Sequence, residues 1–375
     1  MRHNNSSAAA AIDIVIINYR SAADTLAAVA AISPWPHGRI LLVDNSEEGA
    51  ESARLSAALA DSPDVHLFVP ERNLGFGGGC NLAFELSTAE FVLLLNPDAH
   101  IDERNILMLV ETLRKLPRLG GVSPKTFWDV SRRFLLPSAF PQTPLMLLAM
   151  TLLQRSPRLA KLGARLYLRK MRHDMAAAAP YATPFLVGAV MMLRRSAVLA
   201  AGGLFDPDYF MFYEDSDLSL RLRRAGYRLG IVPTAEAVHE YRHKSYKGGM
   251  MAQSCLVYFA KNFPHFYRFT KQLSRLAGWG RPVIWGDWGR MLPHPVNSPD
   301  GLHAQLGDAS ILALSPSAMM MPAIFRPSGA DPVRLNAKDW ERLEPGRYML
   351  LCCEKDSSTL RWISFERGAI GGGLA

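Results

Sequence analysis

The amino-acid sequence predicts an α/β fold built on a Rossmann-like, mostly parallel sheet. In the first 120 residues, continuous apolar runs alternate with stretches of helical length. The predicted strands are Ile12–Asn18, 39–43, 65–69 and Phe91–Leu95, and the predicted helices lie near 21–31, 49–60, 78–87 and 103–116. Strands that are apolar throughout need cover on both faces, and the helices between them provide it.

The alternation stops near residue 120 and resumes with an apolar run at 184–193, which we predict to be a strand. A helix at 195–201, an aromatic loop at 205–213, a helix at 214–225 and a strand at 228–232 follow. From residue 295, short β-prone pieces such as 347–353 and 360–365 stand between Pro and Gly turns. The predicted organisation is a disordered N-terminus at 1–11, a large domain at 12–275, a linker at 276–294 and a small β-rich C-terminal domain at 295–375.

The composition is that of an ordinary folded protein, with 49% hydrophobic and 20% charged residues among 375. The formal net charge of +8 favours an anionic partner, which a nucleotide diphosphate, a membrane surface or a nucleic acid would each satisfy. Four cysteines show no metal-ligand spacing and the N-terminus shows no signal peptide, so we expect a reducing, cytoplasmic location. The longest apolar run, Pro144–Leu153, is about half the length needed to cross a bilayer, which predicts that the protein does not span the membrane.

Polar residues follow each of the four early strands, where an open α/β sheet binds its ligand. These strand ends are Asn18-Tyr19-Arg20, Asp44-Asn45-Ser46, Arg72-Asn73 and Asn96-Pro97-Asp98. A carboxylate such as Asp98 at this edge can hold a divalent cation against a diphosphate. Because Asn-Pro and Asp are also common turn residues, a plain turn is the alternative interpretation.

A glycine-rich stretch, Gly75 to Gly79, stands between a predicted strand and a predicted helix. Glycines let backbone N–H groups approach a phosphate at a helix N-terminus. They equally allow a tight turn with close packing of the helix on the sheet. The residues alone leave both interpretations open.

Three acids, Glu214, Asp215 and Asp217, begin a predicted helix directly after the aromatic loop 205–213. Acids favour the first turn of any helix because they complement its dipole. An aromatic loop before paired carboxylates can also stack a sugar ring and hold its hydroxyl beside a base. His239 and His243, in a polar stretch after the next strand, are candidates for a metal or diphosphate contact, with ordinary surface histidines as the alternative.

Six sequence blocks, taken in chain order, carry a resemblance to a known family. They are IVIINYR, LLVDNS, ERNLGFGGGCN, VLLLNPD, FLVGAVMMLRRSA with GGLFDPDYFMFYEDSDLSLRLRRAGYR, and VHEYRHKS. Over residues 12–245 this string resembles the family 2 glycosyltransferases of GT-A fold, above all their rhamnosyltransferase-like branch. The resemblance does not extend to residues 295–375.

The resemblance implies one set of residues at the nucleotide sugar, one at a metal ion and one at the acceptor. At the nucleotide sugar it implies Asn18, Tyr19, Asp44, Arg72, Asn73, Gly75, Asn81, Asn96 and Asp98, with Tyr19, Asp44 and Arg72 at the nucleoside. Asp98, as the last acid of the family's Asp-x-Asp motif, would bind Mg²⁺ or Mn²⁺, and His239 would complete the metal or diphosphate site. Asp215, the second acid of the family's Glu-Asp pair, would be the general base beside Glu214, with Gly188, Phe212 and Glu214 contacting the acceptor.

The implied reaction is a single displacement that inverts the anomeric carbon of a dTDP- or UDP-sugar, with rhamnose or a similar hexose or deoxyhexose as the sugar. The implied acceptor is a polysaccharide or a lipid-linked oligosaccharide of the cell surface. Glu214 and Asp217, as close like charges, are expected to shift the pKa of Asp215. Asn96 stands where many relatives carry Asp, which raises a question about metal affinity.

The segment 131–173 contains nine Lys or Arg residues and no acid, with Leu, Met and Tyr between them. We predict a basic amphipathic insertion that contacts anionic lipid at the inner face of the cytoplasmic membrane. The alternative is a helix that packs its Leu face on the catalytic domain. No nucleic-acid motif is present, so nucleic acid is not an expected partner, and the sequence indicates no oligomeric state.

Two other functions fit an α/β nucleotide-binding chain. A nucleotidyltransferase that makes sugar nucleotides would need a Gly-rich, basic loop after the first strand. This chain has Asn18-Tyr19-Arg20-Ser21 there, which argues against that function. A non-catalytic protein that binds sugar nucleotides or glycans is the second alternative. The C-terminal region would bind carbohydrate, mediate oligomerisation or cap the catalytic domain, and we expect its Trp340, Tyr348 and Trp362 to form a small core.

Overall fold

The computed structural model describes residues 12–32, 38–136, 140–241, 248–269, 289–326, 333–354 and 360–368. The N-terminus predicted to be disordered, 1–11, and residues 276–288 of the predicted linker lie outside these ranges.

A nine-stranded sheet forms the centre of the molecule. Its strands are β1 (Ile12–Asn18), β2 (Arg39–Asp44), β3 (Val65–Phe68), β4 (Phe91–Leu95), β5 (Ala99–His100), β6 (Leu119–Phe127), β7 (Tyr181–Thr183), β8 (Val190–Arg194) and β9 (Arg228–His239). The order is β3-β2-β1-β4-β8-β6-β9-β5, and β7 also pairs with β9. Strands β1 to β4, β6 and β9 run in one direction while β5, β7 and β8 run in the other, so the predicted mostly parallel sheet is confirmed.

Helices cover this sheet and extend beyond it. They are α1 (Ala22–Ile32), α2 (Gly49–Leu59), α3 (Gly75–Leu86), α4 (Glu103–Lys115), α5 (Pro144–Leu153), α6 (Pro157–Ala176), α7 (Arg195–Ala200), α8 (Glu214–Arg224), α9 (Gly248–Asn262), α10 (Pro299–Leu306) and α11 (Ala337–Glu341). Alternate residues of β1, β2 and β4 point into two separate hydrophobic cores, one on each face. This double burial explains why the central residues of those strands are almost all apolar.

Helix α4 illustrates how local sequence positions an element against the sheet. Asp102 caps its N-terminus, since the carboxylate accepts a hydrogen bond from Asn105 N at 2.9 Å. Ile106, Leu109, Val110 and Leu113 follow at helical spacing and are buried in the core. The Asn105 amide oxygen accepts a hydrogen bond from Glu236 N at 2.8 Å, which fixes α4 to β9.

Two predicted strands differ from those observed. The strand predicted at 184–193 begins only at Val190, because Pro184 has no N–H to donate and Gly188 lies in a turn beside the helix that carries the acids. The strand predicted at 228–232 continues to His239. Its pairing with β6 passes from Val232 to Glu236 through an irregularity in register, which accommodates Pro233 inside the strand.

A second sheet of five strands lies in the C-terminal part of the chain. Its strands are β10 (Arg290–Met291), β11 (Ser310–Ser315), β12 (Ile324–Phe325), β13 (Gly346–Cys353) and β14 (Leu360–Arg367) in the order β10-β14-β13-β11-β12. The short strands predicted there are thus observed, although β10 falls inside the predicted linker. Trp340 and Tyr348 pack in its core against Phe365, and Trp362 is buried on the same sheet.

The basic insertion packs mainly on this second sheet, while Lys125 of β6 binds the C-terminal end of α6 and so links it to the catalytic sheet. Ala160, Ala164, Tyr167 and Leu168 on one face of α6 share a core with residues of β11, β12 and β13. Acids outside the segment neutralise part of its charge: Arg133 pairs with Asp129 at 2.8 Å and with Asp339, and Lys170 with Asp174. Within the described ranges, every helix is too short or too polar to cross a bilayer.

Candidate active site

The sheet opens at its carboxyl edge into a cavity of about 510 Å³. Seven of the residues predicted to form the site line it: Asn96, Asp98, Gly188, Phe212, Glu214, Asp215 and His239. They come from the end of β4, the segment before β8, the N-terminus of α8 and the end of β9. The fold therefore brings the predicted acceptor, base and metal residues to one place.

The backbone before α8 is held in an unusual conformation that positions the acids. Phe212 and Tyr213 both have positive φ, +70° and +67°, which is uncommon for residues with a side chain. Such residues cost on the order of 1–3 kcal/mol each and persist where the surroundings enforce them. Here they turn the chain so that Glu214 and Asp215 begin the helix at the cavity wall.

Asp215 is the better hydrogen-bonded acid of the pair. Its Oδ1 accepts a hydrogen bond from Ser216 N at 2.7 Å, and its Oδ2 accepts one from Gly188 N at 3.2 Å. Burial raises the pKa of Asp215 to about 6, although these donors oppose the rise. The backbone donors stabilise the charged form, so Asp215 is the carboxylate of the pair near neutral pH.

Glu214 is the buried neighbour that holds the proton. Burial and then the charge of Asp215 raise the pKa of Glu214 to about 8. Among the described residues, no hydrogen-bond donor reaches its Oε2 atom, which is fully enclosed. An enclosed carboxyl oxygen without a donor favours the neutral acid.

Asp217 does not influence the pKa of Asp215 in the way that the sequence suggested. Asp217 does not line the cavity, and its carboxylate accepts hydrogen bonds from Arg221 Nε at 2.6 Å and from Asn262 Nδ2 at 2.8 Å. The raised pKa of Asp215 is caused by burial, so the expectation that the charges of Glu214 and Asp217 shift it was wrong. Between the paired acids, it is the charge of Asp215 that raises the pKa of Glu214. Arg221 in turn donates to the carbonyls of Ala201, Gly203 and Leu204, so Asp217 anchors the segment before the aromatic loop.

Asp98 and His239 meet because β5 pairs with β9. Ala99 lies opposite His239 in that antiparallel ladder, which leaves Asp98 Oδ1 3.2 Å from His239 Nε2. His239 is the last residue of a strand and is buried, whereas the sequence placed it in a polar loop. His243 lies outside the described residues. No group of three or more His, Cys, Asp or Glu that could hold a metal occurs in the part of the chain that the structure describes.

The predicted nucleoside contacts sit at the ends of β1 and β2. Asn18 is fully buried and donates to Asp44 Oδ1 at 2.8 Å. Burial alone would raise the pKa of Asp44, but hydrogen bonds from Ser46, Ser52 and Asn18 outweigh it and lower the pKa. Asp44 is thus a pre-oriented carboxylate.

Two further predicted nucleoside residues lie at the surface. Tyr19 is 45% exposed, with the Arg20 guanidinium 5.3 Å from the centre of its ring. Arg72 is exposed in the segment after β3. Neither residue lines the cavity, so the predicted donor residues divide between the cavity and the neighbouring strand ends.

The glycine-rich stretch forms the first turns of α3 and not a loop. Gly75 has φ +73°, and a Cβ on it would come within 2.2 Å of the Phe210 carbonyl oxygen. Asn73 accepts a hydrogen bond from Gly75 N at 2.8 Å. A Cβ on Gly77 would lie 3.0 Å from the Tyr209 carbonyl oxygen. These glycines permit close packing of α3 against the aromatic loop, in agreement with the packing interpretation.

Asn81 positions the aromatic loop from the same helix. Its amide donates to the Phe205 carbonyl and accepts from Phe205 N, both at 2.8 Å. Asn81 does not line the cavity, and the contact that the structure shows for it is with the aromatic loop.

Sequence reasoning missed a further group of cavity residues. Among them are Phe76, Lys125, Leu135, Asp174, Tyr181, Val187, Met211, Tyr241, Met251 and Pro322. They lie on separate elements, including α6 and the segment before β12, and no local pattern joins them.

The mostly parallel α/β sheet, with acidic residues gathered at its carboxyl edge, agrees with the glycosyltransferase resemblance found in the sequence. The chain belongs to glycosyltransferase family 2: a family model described as "Glycosyltransferase like family 2" matches residues 9–254. The predicted family and the predicted GT-A fold are thereby confirmed.

Individual relatives are more distant. The N-acetylglucosaminyl-diphospho-decaprenol L-rhamnosyltransferase of Mycobacterium tuberculosis (strain H37Rv) is 29% identical over 258 residues, which cover 66% of this chain and 78% of the relative. The mannosyltransferase PcManGT from Pyrobaculum calidifontis, solved with GDP-Man and Mn²⁺, has a TM-score of 0.46 at 18% identity, covering 72% of this chain and 70% of its own. GalNAc-T7, solved with UDP, GalNAc and Mn²⁺, has a TM-score of 0.46 at 15% identity. The match covers 94% of this chain and 71% of the GalNAc-T7 chain.

Proposed function

We propose that this glycosyltransferase is an inverting enzyme that moves rhamnose or a similar deoxyhexose or hexose from a dTDP- or UDP-sugar to a lipid-linked glycan acceptor. One observation carries the proposal: a hydrogen-bonded carboxylate, Asp215, and a candidate diphosphate-metal pair, Asp98 and His239, line the same cavity. The relative that transfers L-rhamnose to N-acetylglucosaminyl-diphospho-decaprenol supports the choice of sugar and acceptor class.

The reaction is a single displacement at the anomeric carbon. Asp215 accepts the proton of the acceptor hydroxyl while that oxygen forms a bond to the anomeric carbon. The bond from the anomeric carbon to the diphosphate oxygen breaks, and its electron pair leaves with the nucleoside diphosphate. Because the acceptor attacks from the side opposite the leaving group, the configuration inverts.

The residues beside Asn96 fit a divalent metal bound together with the donor. Mg²⁺ and Mn²⁺ take oxygen ligands, and Mg²⁺ in particular is held by one or two carboxylates while substrate phosphates and water complete its shell. Asp98 would supply the carboxylate and His239 an imidazole, and the Asn96 amide lies on the same wall. A metal ion bound there would stabilise negative charge on the departing diphosphate.

The experiment that tests the proposal is release of nucleoside diphosphate from a panel of dTDP- and UDP-sugars, with octyl N-acetyl-β-glucosaminide as the acceptor. We expect release that depends on one donor and rises with the acceptor, with a glycosylated product of inverted configuration by NMR. Pyrophosphate release from a sugar phosphate and a nucleoside triphosphate would identify a nucleotidyltransferase instead. Donor binding without any release would identify a binding protein.

The pH dependence of turnover follows from the raised pKa of Asp215. The base must be deprotonated, so activity should fall as the pH decreases through about 6. With a base of ordinary aspartate pKa, activity would persist until the pH reached about 4. Below the midpoint, kcat/KM should fall about tenfold per pH unit. The measurement is a kcat/KM profile from pH 4.5 to 8 at saturating metal. A profile that stays flat to pH 4.5 would remove Asp215 from the role of base.

We further propose that the enzyme works peripherally at the inner face of the cytoplasmic membrane through α5 and α6. Arg158, Arg165, Arg169 and Arg172 form one exposed stripe along α6, and Leu159, Leu162 and Leu166 are exposed beside it. Helix α5 has no charged residue, and its Leu145 is 66% exposed. Basic side chains attract anionic headgroups while exposed apolar ones enter the interface.

The membrane proposal predicts binding to anionic vesicles that salt partly reverses. We expect co-sedimentation with phosphatidylglycerol vesicles but not with phosphatidylcholine vesicles, and a large loss when Arg158, Arg165, Arg169 and Arg172 are replaced by Gln. The matched control replaces four exposed basic residues near α4: Arg104, Arg114, Lys115 and Arg118. Equal loss in both variants would show a general charge effect, and no binding by the wild type would reject the membrane contact.

A further inference from the structure

The glycine-rich stretch carries one side chain, and that side chain reaches the cavity. Phe76 is the only residue from 75 to 79 that is not glycine. Its N–H donates to the Phe210 carbonyl oxygen at 3.0 Å, an approach that the missing side chain of Gly75 permits. Its ring packs against Phe205, with ring centres 6.0 Å apart, and is partly exposed where it lines the cavity. The close packing of α3 therefore places an aromatic side chain in the cavity wall.

Phe76 and the proposed base, Asp215, flank a space that Gly188 leaves empty. A Cβ built on Gly188 would lie 3.4 Å from Phe76 Cε1 and 3.8 Å from Asp215 Cβ. All three residues line the cavity, and Phe76 and Asp215 are both partly exposed. These three residues therefore bound a notch in the cavity wall, directly beside the base.

The described surroundings of Gly188 leave room for a side chain. Its φ lies outside the positive range that favours glycine, and its Cβ would meet its nearest described neighbours at ordinary van der Waals distances. At Gly75, by contrast, φ is +73° and a Cβ would come within 2.2 Å of a carbonyl oxygen. Neither backbone conformation nor packing among the described residues thus accounts for glycine at position 188. What its missing side chain does provide is the open notch.

We propose that the notch receives the acceptor saccharide, with Phe76 packed against the ring carbon that carries the reacting hydroxyl. That hydroxyl gives its proton to Asp215, so the carbon that bears it lies close to the base. Aromatic side chains provide apolar contact for a bound ring, and Phe76 offers the hydroxyl no acceptor that competes with the carboxylate. The inference rests on the proposed function and deepens it, since it makes Phe76, which the family resemblance did not single out, a residue that selects the acceptor.

Two single variants change the width of the notch in opposite directions. Gly188→Ala narrows it by one methyl group, and because a displacement of about 1 Å can cost about 10²-fold in rate, we expect that loss in the acceptor kcat/KM. Phe76→Leu widens it and keeps an apolar side chain against Phe205. We expect Phe76→Leu to lower the acceptor kcat/KM about tenfold, through the loss of one aromatic contact. The donor KM should stay at the wild-type level in both variants.

The combination of Gly188→Ala with Phe76→Leu tests whether the two residues act on the same space. The leucine substitution removes the ring atoms that lie nearest to the added methyl group, so it should relieve the narrowing. We expect the double variant to be about tenfold more active than Gly188→Ala alone, which is the coupling that residues sharing one contact show. A double variant no more active than Gly188→Ala would overturn the notch.

Two matched controls alter the same kinds of residue away from the cavity. Gly230→Ala adds a methyl group to a buried glycine whose Cβ would meet its nearest described neighbours at 3.5 Å, and Gly230 does not line the cavity. Phe68→Leu alters a partly buried ring that packs on the same hydrophobic cluster as Phe76, also away from the cavity. Both controls should keep the wild-type kinetics. Losses as large as those of the notch variants would show a general effect of packing and overturn the notch.

A binding measurement separates failure of the notch from failure of the proposed function. The probe is octyl N-acetyl-β-glucosaminide, observed by saturation-transfer NMR with dTDP or UDP in place of the donor. We expect contact in the wild type and in both controls, and a loss in Gly188→Ala. This binding pattern without turnover of any donor would overturn the proposed function and keep the notch.

Three results would overturn the notch as the acceptor site. The first is normal turnover with wild-type acceptor kinetics in both notch variants, which would keep the proposed function. The second is absence of saccharide binding by the wild type. The third is a rise in the donor KM while the acceptor KM stays unchanged, which would assign the notch to the transferred sugar.

Discussion

Replacing Asp215 with asparagine is expected to abolish sugar transfer while donor binding stays near the wild-type level. Loss of a general base costs about 10²–10⁴-fold in turnover, and the base acts on the acceptor hydroxyl and not on the nucleotide. Asparagine keeps an oxygen for the hydrogen bond from Ser216 N, so the N-terminus of α8 should keep its geometry. The measurements are kcat for transfer and the donor Kd by calorimetry.

The control for this prediction is Glu214→Gln. Because the neutral acid is the favoured form of Glu214 near pH 7, glutamine resembles it in charge and shape. We expect Glu214→Gln to keep turnover within about tenfold of the wild type, far above Asp215→Asn. The reverse order of the two variants would move the base to Glu214. Equal, complete loss of turnover in both variants would indicate that the two acids act as a unit. That result would contradict the assignment of the general base to Asp215 alone.

Removing the metal with EDTA, or its proposed ligand with Asp98→Ala, is expected to lower transfer by on the order of 10²–10³-fold. The physical reason is that the departing diphosphate develops negative charge that a divalent cation stabilises. Mg²⁺ or Mn²⁺ should restore the EDTA-treated wild type but not the variant. A weaker donor Kd in Asp98→Ala, measured with metal present, is the second readout.

Asp61→Ala is the matched control for the metal, because Asp61 is an exposed acid far from the carboxyl edge of the sheet. It should respond to EDTA as the wild type does. Full activity of Asp98→Ala in the presence of EDTA would reject the metal and leave cationic side chains to neutralise the diphosphate. His239→Ala should weaken the donor Kd in the same direction as Asp98→Ala, since the two side chains are in contact.

The elements that the sequence predicted best are those whose pattern is local. β1 and β4 have the predicted bounds, because every residue in them is buried and all but Asp13 and Asn18 are apolar. Asp98 and Asp215 could be identified as candidates because Asp98 closely follows β4 and Asp215 lies in the first turn of α8. By contrast, β9 was predicted too short, since Pro233 normally ends a strand and only the register irregularity reveals why it does not here.

The roles that sequence could not assign depend on contacts between distant parts of the chain. Asn81 binds the backbone of Phe205, which is 124 residues away, and no local sequence pattern predicts that contact. Asp174 faces the cavity because α6 packs on the second sheet. Asp217 is a case in which the sequence held an unused signal: Arg221 follows it by four residues, the spacing of a helical ion pair.

The shared core of α6 and the second sheet sets a rule for exchanging parts between related enzymes. Helix α6 lies in the chain between β6 and β7, yet Ala164, Tyr167 and Met171 are covered by residues more than 140 positions later, such as Leu312 and Met349. A chimera that replaced only the C-terminal third would leave this helix facing a foreign surface. The insertion and the tail therefore form one transplantable unit that must be moved together, although the chain separates them.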